Sequence, residues 1–211
     1  MDLKTVNMVF TSKNIINRNM RYIGYDTKHH DNVGYDAVKT MCEQKNVDIL
    51  NMTFSESDNP AYPGRIFVHY NVIQSAFRAI NLHDIIEYYR LRYSFEEKDT
   101  LFIVNKDPPN DTIRKLMKQY YEKDKTFVVI QSLKQTQFYI HDHVYVPRHE
   151  VLSPEAERRD VLGKWNRSNL PEIGRFDPVA MAIAMRPGQI CMITRNSRSV
   201  ITEEYFYRYC V

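Results

Sequence analysis

The chain lacks most of the features that announce a chemistry. No apolar run approaches the roughly 20 residues that span a bilayer. Its first residues, MDLKTVNMVF, have neither the basic start nor the long apolar stretch of a secretory signal. Cysteine is scarce: Cys42, Cys191 and Cys210 are odd in number, far apart and without metal-ligand spacing. They argue for buried thiols in a reducing compartment rather than a disulfide framework. No Gly-x-Ser-x-Gly elbow and no glycine-rich phosphate loop is present, which removes serine hydrolysis and nucleotide cradling from consideration. An excess of one charge is lacking too. The formal net charge is +3, and from Val144 onward 10 Lys and Arg stand against 8 Asp and Glu. Neither half is the basic footprint of a free nucleic-acid binder, although local contact with DNA inside a larger assembly stays open. There is no repeat, low-complexity segment or flexible linker, so the two halves are expected to sit in a fixed relation.

What is present is the composition of an ordinary globular protein with a surplus of tyrosine, 15 residues, which suits cores and interfaces where a ring is buried and a hydroxyl reaches out. The spacing of Ile15, Ile16 and Met20 predicts a helix over Thr11–Arg21 with Ser12 as its cap, ended by Gly24. Asp26–Asn32, including His29-His30-Asp31, reads as a solvated loop, and Ala37–Gln44 as a second helix. Strands are expected at Asp48–Phe54 and Arg65–Tyr70, separated by the turn-rich Ser55–Gly64. Leu82–Tyr93 is amphipathic through Leu82, Ile85, Ile86 and Tyr89. The clearest unit follows: strand Thr100–Asn105, loop Lys106–Asn110, helix Asp111–Glu122 and strand Thr126–Ser132. Such short connections predict parallel or mixed pairing. Gln137–Val146 alternates like a further strand.

From Asn169 the turns carry their own physical reasons. Pro171 and Pro178 keep the residues before them extended. Asp177 is placed to cap a short helix with Pro178 in its first turn, over Val179–Met185. Arg186-Pro187-Gly188-Gln189 then turns the chain into an apolar strand, Ile190–Thr194. In Tyr205-Phe206-Tyr207-Arg208-Tyr209, alternate side chains share a face, and both faces are expected to be covered, one of them by a partner. Of Trp165, Phe176, Tyr205, Phe206, Tyr207 and Tyr209, about half are expected in the core.

The ordered pieces His143-x-x-Val146-Pro147-x-His149, Leu170-Pro171-x-Ile173, Asp177-Pro178-Val179-Ala180, Arg186-x-Gly188-Gln189-Ile190 and Tyr207-Arg208-Tyr209-Cys210-Val211 resemble one family. It is the C-terminal domain of the fifth subunit of eukaryotic RNA polymerases, shared with the archaeal counterpart of that subunit. The resemblance implies an α/β jaw domain of nuclease-like topology over 1–143. A small α+β assembly domain with a mixed sheet and short helices would follow over 144–211. It further implies a non-catalytic subunit that docks on the largest polymerase subunit and projects its jaw toward downstream duplex DNA. No cofactor or metal of its own is implied, since the magnesium and the phosphodiester chemistry belong to the two large subunits. Archaeal members lack the jaw, so its presence resembles the eukaryotic form. An intracellular location is implied, in the nucleus for a eukaryotic member and in a cytoplasmic factory or virion for one from a large DNA virus. The chain departs from the family at Glu172, usually Arg, at Met181–Met185, usually a bulkier run, and at Asn196-Ser197-Arg198-Ser199. Surface chemistry near those turns is not carried over.

Two kinds of candidate site follow. Lys106, Asn110, Thr112, Arg114 and Lys115 surround a Pro-Pro loop at a helix start. Backbone N–H groups and the positive helix end can hold a phosphate oxygen there without reading sequence. Asp107 and Asp111 oppose this, and Asp111 can serve simply as the helix cap. In the resembling family the corresponding loop faces DNA. His149, Pro171, Phe176, Asp177, Pro178, Arg186, Gly188, Tyr207 and Arg208 are the subunit-interface candidates. A rival reading makes the N-terminal half a metal-dependent nuclease, if Asp84, Glu96 and Lys98 converge on a metal. His141 and His143 would share a strand face and could approach one metal, but no third ligand is near; a polar strand end with His143 capping locally is the plainer reading. Cys191, in an apolar strand, has its thiol pKa raised by burial and is no nucleophile.

Overall fold

A computed structural model describes residues 1–44, 47–72, 77–196 and 203–211. Ser197, Arg198 and Ser199 of the divergent turn lie outside the described residues. Two units form: Met1–Ser57 with Tyr62–Phe138, and Asp58–Ala61 with Tyr139–Val211.

In the first unit, α1 (Leu3–Tyr22) starts two turns earlier than the sequence suggested. Val6 and Val9 continue the buried stripe of Ile16 and Met20 backward, and Asp2 caps the helix by accepting the Thr5 N–H at 3.1 Å. Ser12 is no cap. Its hydroxyl points inward and lies 3.2 Å from that of Tyr70. Gly24, at φ 97°, turns the chain out of the helix. A 3-10 turn at Lys28–His30 corrects the expected solvated loop. Asp31 accepts from Asn17 at 2.7 Å and pairs with Arg21, while a His30 ring nitrogen sits 3.0 Å from the Thr53 carbonyl.

After α2 (Tyr35–Glu43), strand β1 covers only Met52–Phe54. The residues expected to begin it, from Asp48 to Leu50, lie in a 3-10 turn, Val47–Leu50, instead. Asn51 joins the two by accepting the Tyr70 N–H at 2.9 Å. Strand β2 (Ile66–Asn71) pairs antiparallel with β1 and parallel with β3 (Thr100–Asn105), which pairs parallel with β4 (Phe127–Ser132). Helices α3 (Ala79–Tyr93) and α4 (Asp111–Asp124) make the crossovers β2–α3–β3 and β3–α4–β4. Sheet order is β1-β2-β3-β4. Side chains of β2 show how it is covered. Phe67 and His69 meet the Tyr89 ring of α3 at 5.2 and 5.9 Å, whereas Tyr70, on the other face, meets Ser12 and Lys13 of α1. Covering on both faces is why β3 and β4 carry the apolar runs LFIV at 101–104 and FVVI at 127–130 and are buried along their whole length.

Where the chain passes from the first unit to the second, the expected strand at Gln137–Val146 does not form. These residues form 3-10 turns at Gln135–Gln137 and Ile140–Asp142, and Phe138, Val144 and Tyr145 are exposed. Their alternation was not the alternation of a half-buried sheet. Strand β5 (Arg148–Val151) leads to α5 (Pro154–Ala156), capped by Ser153 and continued by a π-helical segment, Glu157–Leu162. Then come β6 (Glu172–Ile173), α6 (Pro178–Ala182), β7 (Ile190–Asn196) and β8 (Glu203–Cys210). The mixed sheet runs β5-β7-β8-β6, antiparallel except for the β6–β8 pair. Asp177 caps α6 by accepting the Val179 and Ala180 N–H groups at 2.8 and 3.3 Å. The helix stops before the expected Met185 because Ala184 turns left-handed, φ 48°. The Met185 and Ala184 N–H groups then return to the Ala180 and Met181 carbonyls at 2.8 and 3.1 Å, a paired C-terminal cap.

Candidate interaction surfaces

At the start of α4 the cap is Asn110, not Asp111: its side-chain oxygen accepts the Ile113 N–H at 2.9 Å. The loop before it is anchored from the sheet. Asn71 donates to Asn105 at 3.0 Å, and Asn105 donates to the Asp107 carbonyl at 2.8 Å. Lys106, Asn110, Thr112, Arg114 and Lys115 are all exposed within this loop and the first turns of α4, as are Asp107 and Asp111. The surface is therefore mixed in sign, with one amide oxygen already committed to the helix.

The metal constellations do not assemble. Asp84 is exposed on α3, and Glu96 pairs with Lys98 at 3.1 Å. The buried carboxylate nearby is Asp99, which accepts from Arg65 side-chain and backbone nitrogens and from the Glu96 N–H. Burial pushes its pKa up, but the Arg65 guanidinium and those N–H groups outweigh burial and hold it below the usual range. Among the described residues no three His, Cys, Asp or Glu side chains could hold a metal ion together. The nuclease reading gains no support. His141 and His143 lie at a 3-10 turn rather than on one strand face, and His143 accepts the Tyr145 N–H at 3.3 Å. Burial raises the thiol pKa of Cys191 and of Cys210 to about 12.

In the second unit, most interface candidates first hold the domain's own turns. His149 is buried, its Nδ1 2.7 Å from the Pro147 carbonyl, and burial lowers its pKa. Pro171 is exposed, but its carbonyl accepts the Tyr209 N–H at 2.9 Å. Asp177 caps α6, with Pro178 exposed beside it, and Phe176 lies half-buried under the Arg175 guanidinium. The Arg186 N–H donates to Gln189 at 2.7 Å, and Gly188, at φ 96°, donates to the Cys210 carbonyl at 2.9 Å. Arg208 donates to the Glu172 carbonyl at 2.9 Å, and Tyr207 packs on Leu152, Val161 and Ile190.

None of the six aromatics is fully buried, but Tyr207 and Tyr209 pack against the core and Phe176 is half-buried, while the other three are exposed. Trp165, Tyr205 and Phe206 are 45%, 51% and 44% exposed, so β8 is not covered on both sides within this chain. They line a groove of about 440 Å³ with Leu170 and Pro171, and Arg195 and Arg208 supply its charge. Arg195 was not singled out by sequence reasoning. Its strand was read only as far as Thr194, and the Phe206 ring beneath its guanidinium, 5.2 Å away, is a cross-strand neighbour that spacing along the chain cannot show.

The family described as RNA polymerase Rpb5, C-terminal domain, matches residues 138–210. Among curated proteins, DNA-directed RNA polymerase subunit Rpo5 of Nitrosopumilus maritimus is 39% identical over 82 residues, 38% of this chain but 96% of that protein. The Rpo5 subunits of Archaeoglobus fulgidus and Thermococcus kodakarensis are 43% and 40% identical over 35% of this chain, spanning 97% and 87% of their own lengths. The match thus takes in nearly the whole of each relative and about a third of this chain, the part that forms the groove-bearing unit. On these grounds the chain belongs to the Rpb5/Rpo5 family of DNA-directed RNA polymerase subunits.

Proposed function

We propose that the protein is a non-catalytic subunit of a multisubunit DNA-directed RNA polymerase. The observation that carries this is the near-complete coverage of the archaeal Rpo5 chains at about 40% identity. In this reading residues 144–211 are the assembly domain and dock on the largest subunit. Residues 1–143 are a jaw of nuclease-like topology that reaches toward downstream DNA without nuclease chemistry. The loop Lys106–Lys115 is the part of the jaw that faces the duplex, using exposed cations and the α4 N-terminus as a sequence-independent phosphate contact. The groove along β8 and the turn residues around α6 form the docking side. The protein works inside the cell, where the polymerase is assembled.

The test is affinity purification of the tagged protein from its native source, with every stoichiometric partner identified. One copy each of the large polymerase subunits is the expected result. Recovery of the protein without them would overturn the assignment.

A further inference from the structure

We infer that β8 presents an open strand edge to a partner, and that the occupant is an extended segment which adds to the sheet beside β6. This deepens the polymerase reading and rests on it, the partner being the largest subunit. The argument starts from the ladder. The Cys210 N–H donates inward to Gln189, and the Tyr209 N–H donates the opposite way, to Pro171. Because an antiparallel ladder alternates, the N–H and C=O groups of Tyr207, Tyr205 and Glu203 point to that same outer edge. Among the described residues, β8 pairs on this edge only through Tyr209 and Cys210, with Glu172 and Ile173. The pairing stops there for a chemical reason. Pro171 brings no N–H, and Arg167–Asn169 before it form a 3-10 turn rather than a strand. The first half of β8 is left as an unpaired edge, the kind of edge that accepts another strand.

The groove sits on this edge. Its lining combines Tyr205 and Tyr207 from one face of β8 with Phe206 and Arg208 from the other, as a cleft around a strand edge must. A strand laid there would place alternate side chains on the two faces. One set would meet Trp165, Tyr205 and Tyr207, which favours apolar side chains. The other would meet Phe206 with Arg195 and Arg208, the charged side chains of the described lining, which favours Asp or Glu. Glu204, opposite Arg195 in the ladder, leaves Arg208 as the stronger anion partner. The partner segment is therefore extended, with apolar and acidic residues alternating.

Residue-resolved hydrogen–deuterium exchange on the full chain, free and co-assembled with the polymerase subunits, tests this. In the free chain the Tyr205 and Tyr207 amides should exchange fast, while those of Phe206 and Arg208 stay protected by β7. On assembly the two fast amides should become protected. Tyr205→Pro, which removes an outward N–H and leaves the inner ladder its donors, should weaken assembly about tenfold, as should Arg208→Glu. Assembly with the Tyr205 and Tyr207 amides still fast would overturn strand addition alone. Failure of the unmodified chain to assemble would overturn the polymerase reading, and this occupant with it.

Discussion

Asp99 and His69 show how two buried side chains make the fold respond to acid in separate windows. The Asp99 side chain is fully buried, with Arg65 at 2.5 Å, and its carboxyl is held below the usual range. A depressed carboxylate stabilises the fold above its unfolded pKa, about 3.9, and that contribution is lost as pH falls through the folded value. His69 behaves differently. Burial beside Tyr89 pushes its pKa down to about 4, only partly opposed by the Asp48 carboxylate. Its neutral form favours the fold above the unfolded histidine pKa of about 6.5, and stability falls as pH drops from there toward 4. Melting curves should therefore flatten between about pH 6.5 and 4 in His69→Phe, and below about pH 4 in Asp99→Asn. Asp99→Ala, which strands the Arg65 donors, should cost about 2 kcal/mol by denaturant titration. Two glycines give a second contrast. A Cβ at Gly64 would lie 1.9 Å from the Lys98 carbonyl, whereas one at Gly188 meets nothing within 4 Å and suffers only from φ 96°. Gly188→Ala should cost about 1 kcal/mol, and Gly64→Ala clearly more, because backbone must move.

Elements whose burial follows their own sequence period were legible, and those held by distant partners were not. The β3–α4–β4 unit was read within a residue or two at each boundary, because two strands with apolar runs flank a helix with Ile113 and Met117 at helical spacing. The turns of the second unit were legible for a related reason, since Asp177 with Pro178 and Gly188 declare their backbone geometry locally. Gln137–Val146 alternates like a strand although Phe138 and Val144 face solvent, and the early start of α1 rests on Asp2, a cap that lies well before the Ile15–Met20 stripe. The groove itself could not be read, since Trp165, Arg195 and Tyr205 meet only through the β5-β7-β8-β6 order. At α4 the helix cap and the proposed phosphate contact rest on different residues. Asn110→Ala should cost about 1 kcal/mol of stability through the lost cap. Replacing Lys106, Arg114 and Lys115 by Ala should leave the melting temperature nearly unchanged and make DNA retention by the assembled polymerase more sensitive to salt. Equal salt sensitivity of the triple variant and the unchanged chain would remove the loop from the DNA path.

At the scale of the molecule, relatives that are almost entirely this domain imply that the second unit is self-sufficient. A 139–211 fragment should show near-ultraviolet circular dichroism of packed aromatics and a single cooperative melt. A broad, non-cooperative transition would contradict it. That fragment would lack Asp58–Ala61, which clusters with the second unit although it lies in the first half of the sequence. Gln189 reaches back 128 residues to donate to the Ala61 carbonyl at 3.1 Å. On a ribosome adding about 5–20 residues each second, Ala61 is synthesised roughly 6–25 s before Gln189 exists. During that interval the rest of the first sheet, from Ile66 to Ser132, is synthesised, while the Ala61 carbonyl still waits for Gln189. The order of manufacture thus gives the first sheet a head start, and the Ala61 carbonyl is satisfied only when the last third of the protein has been delivered.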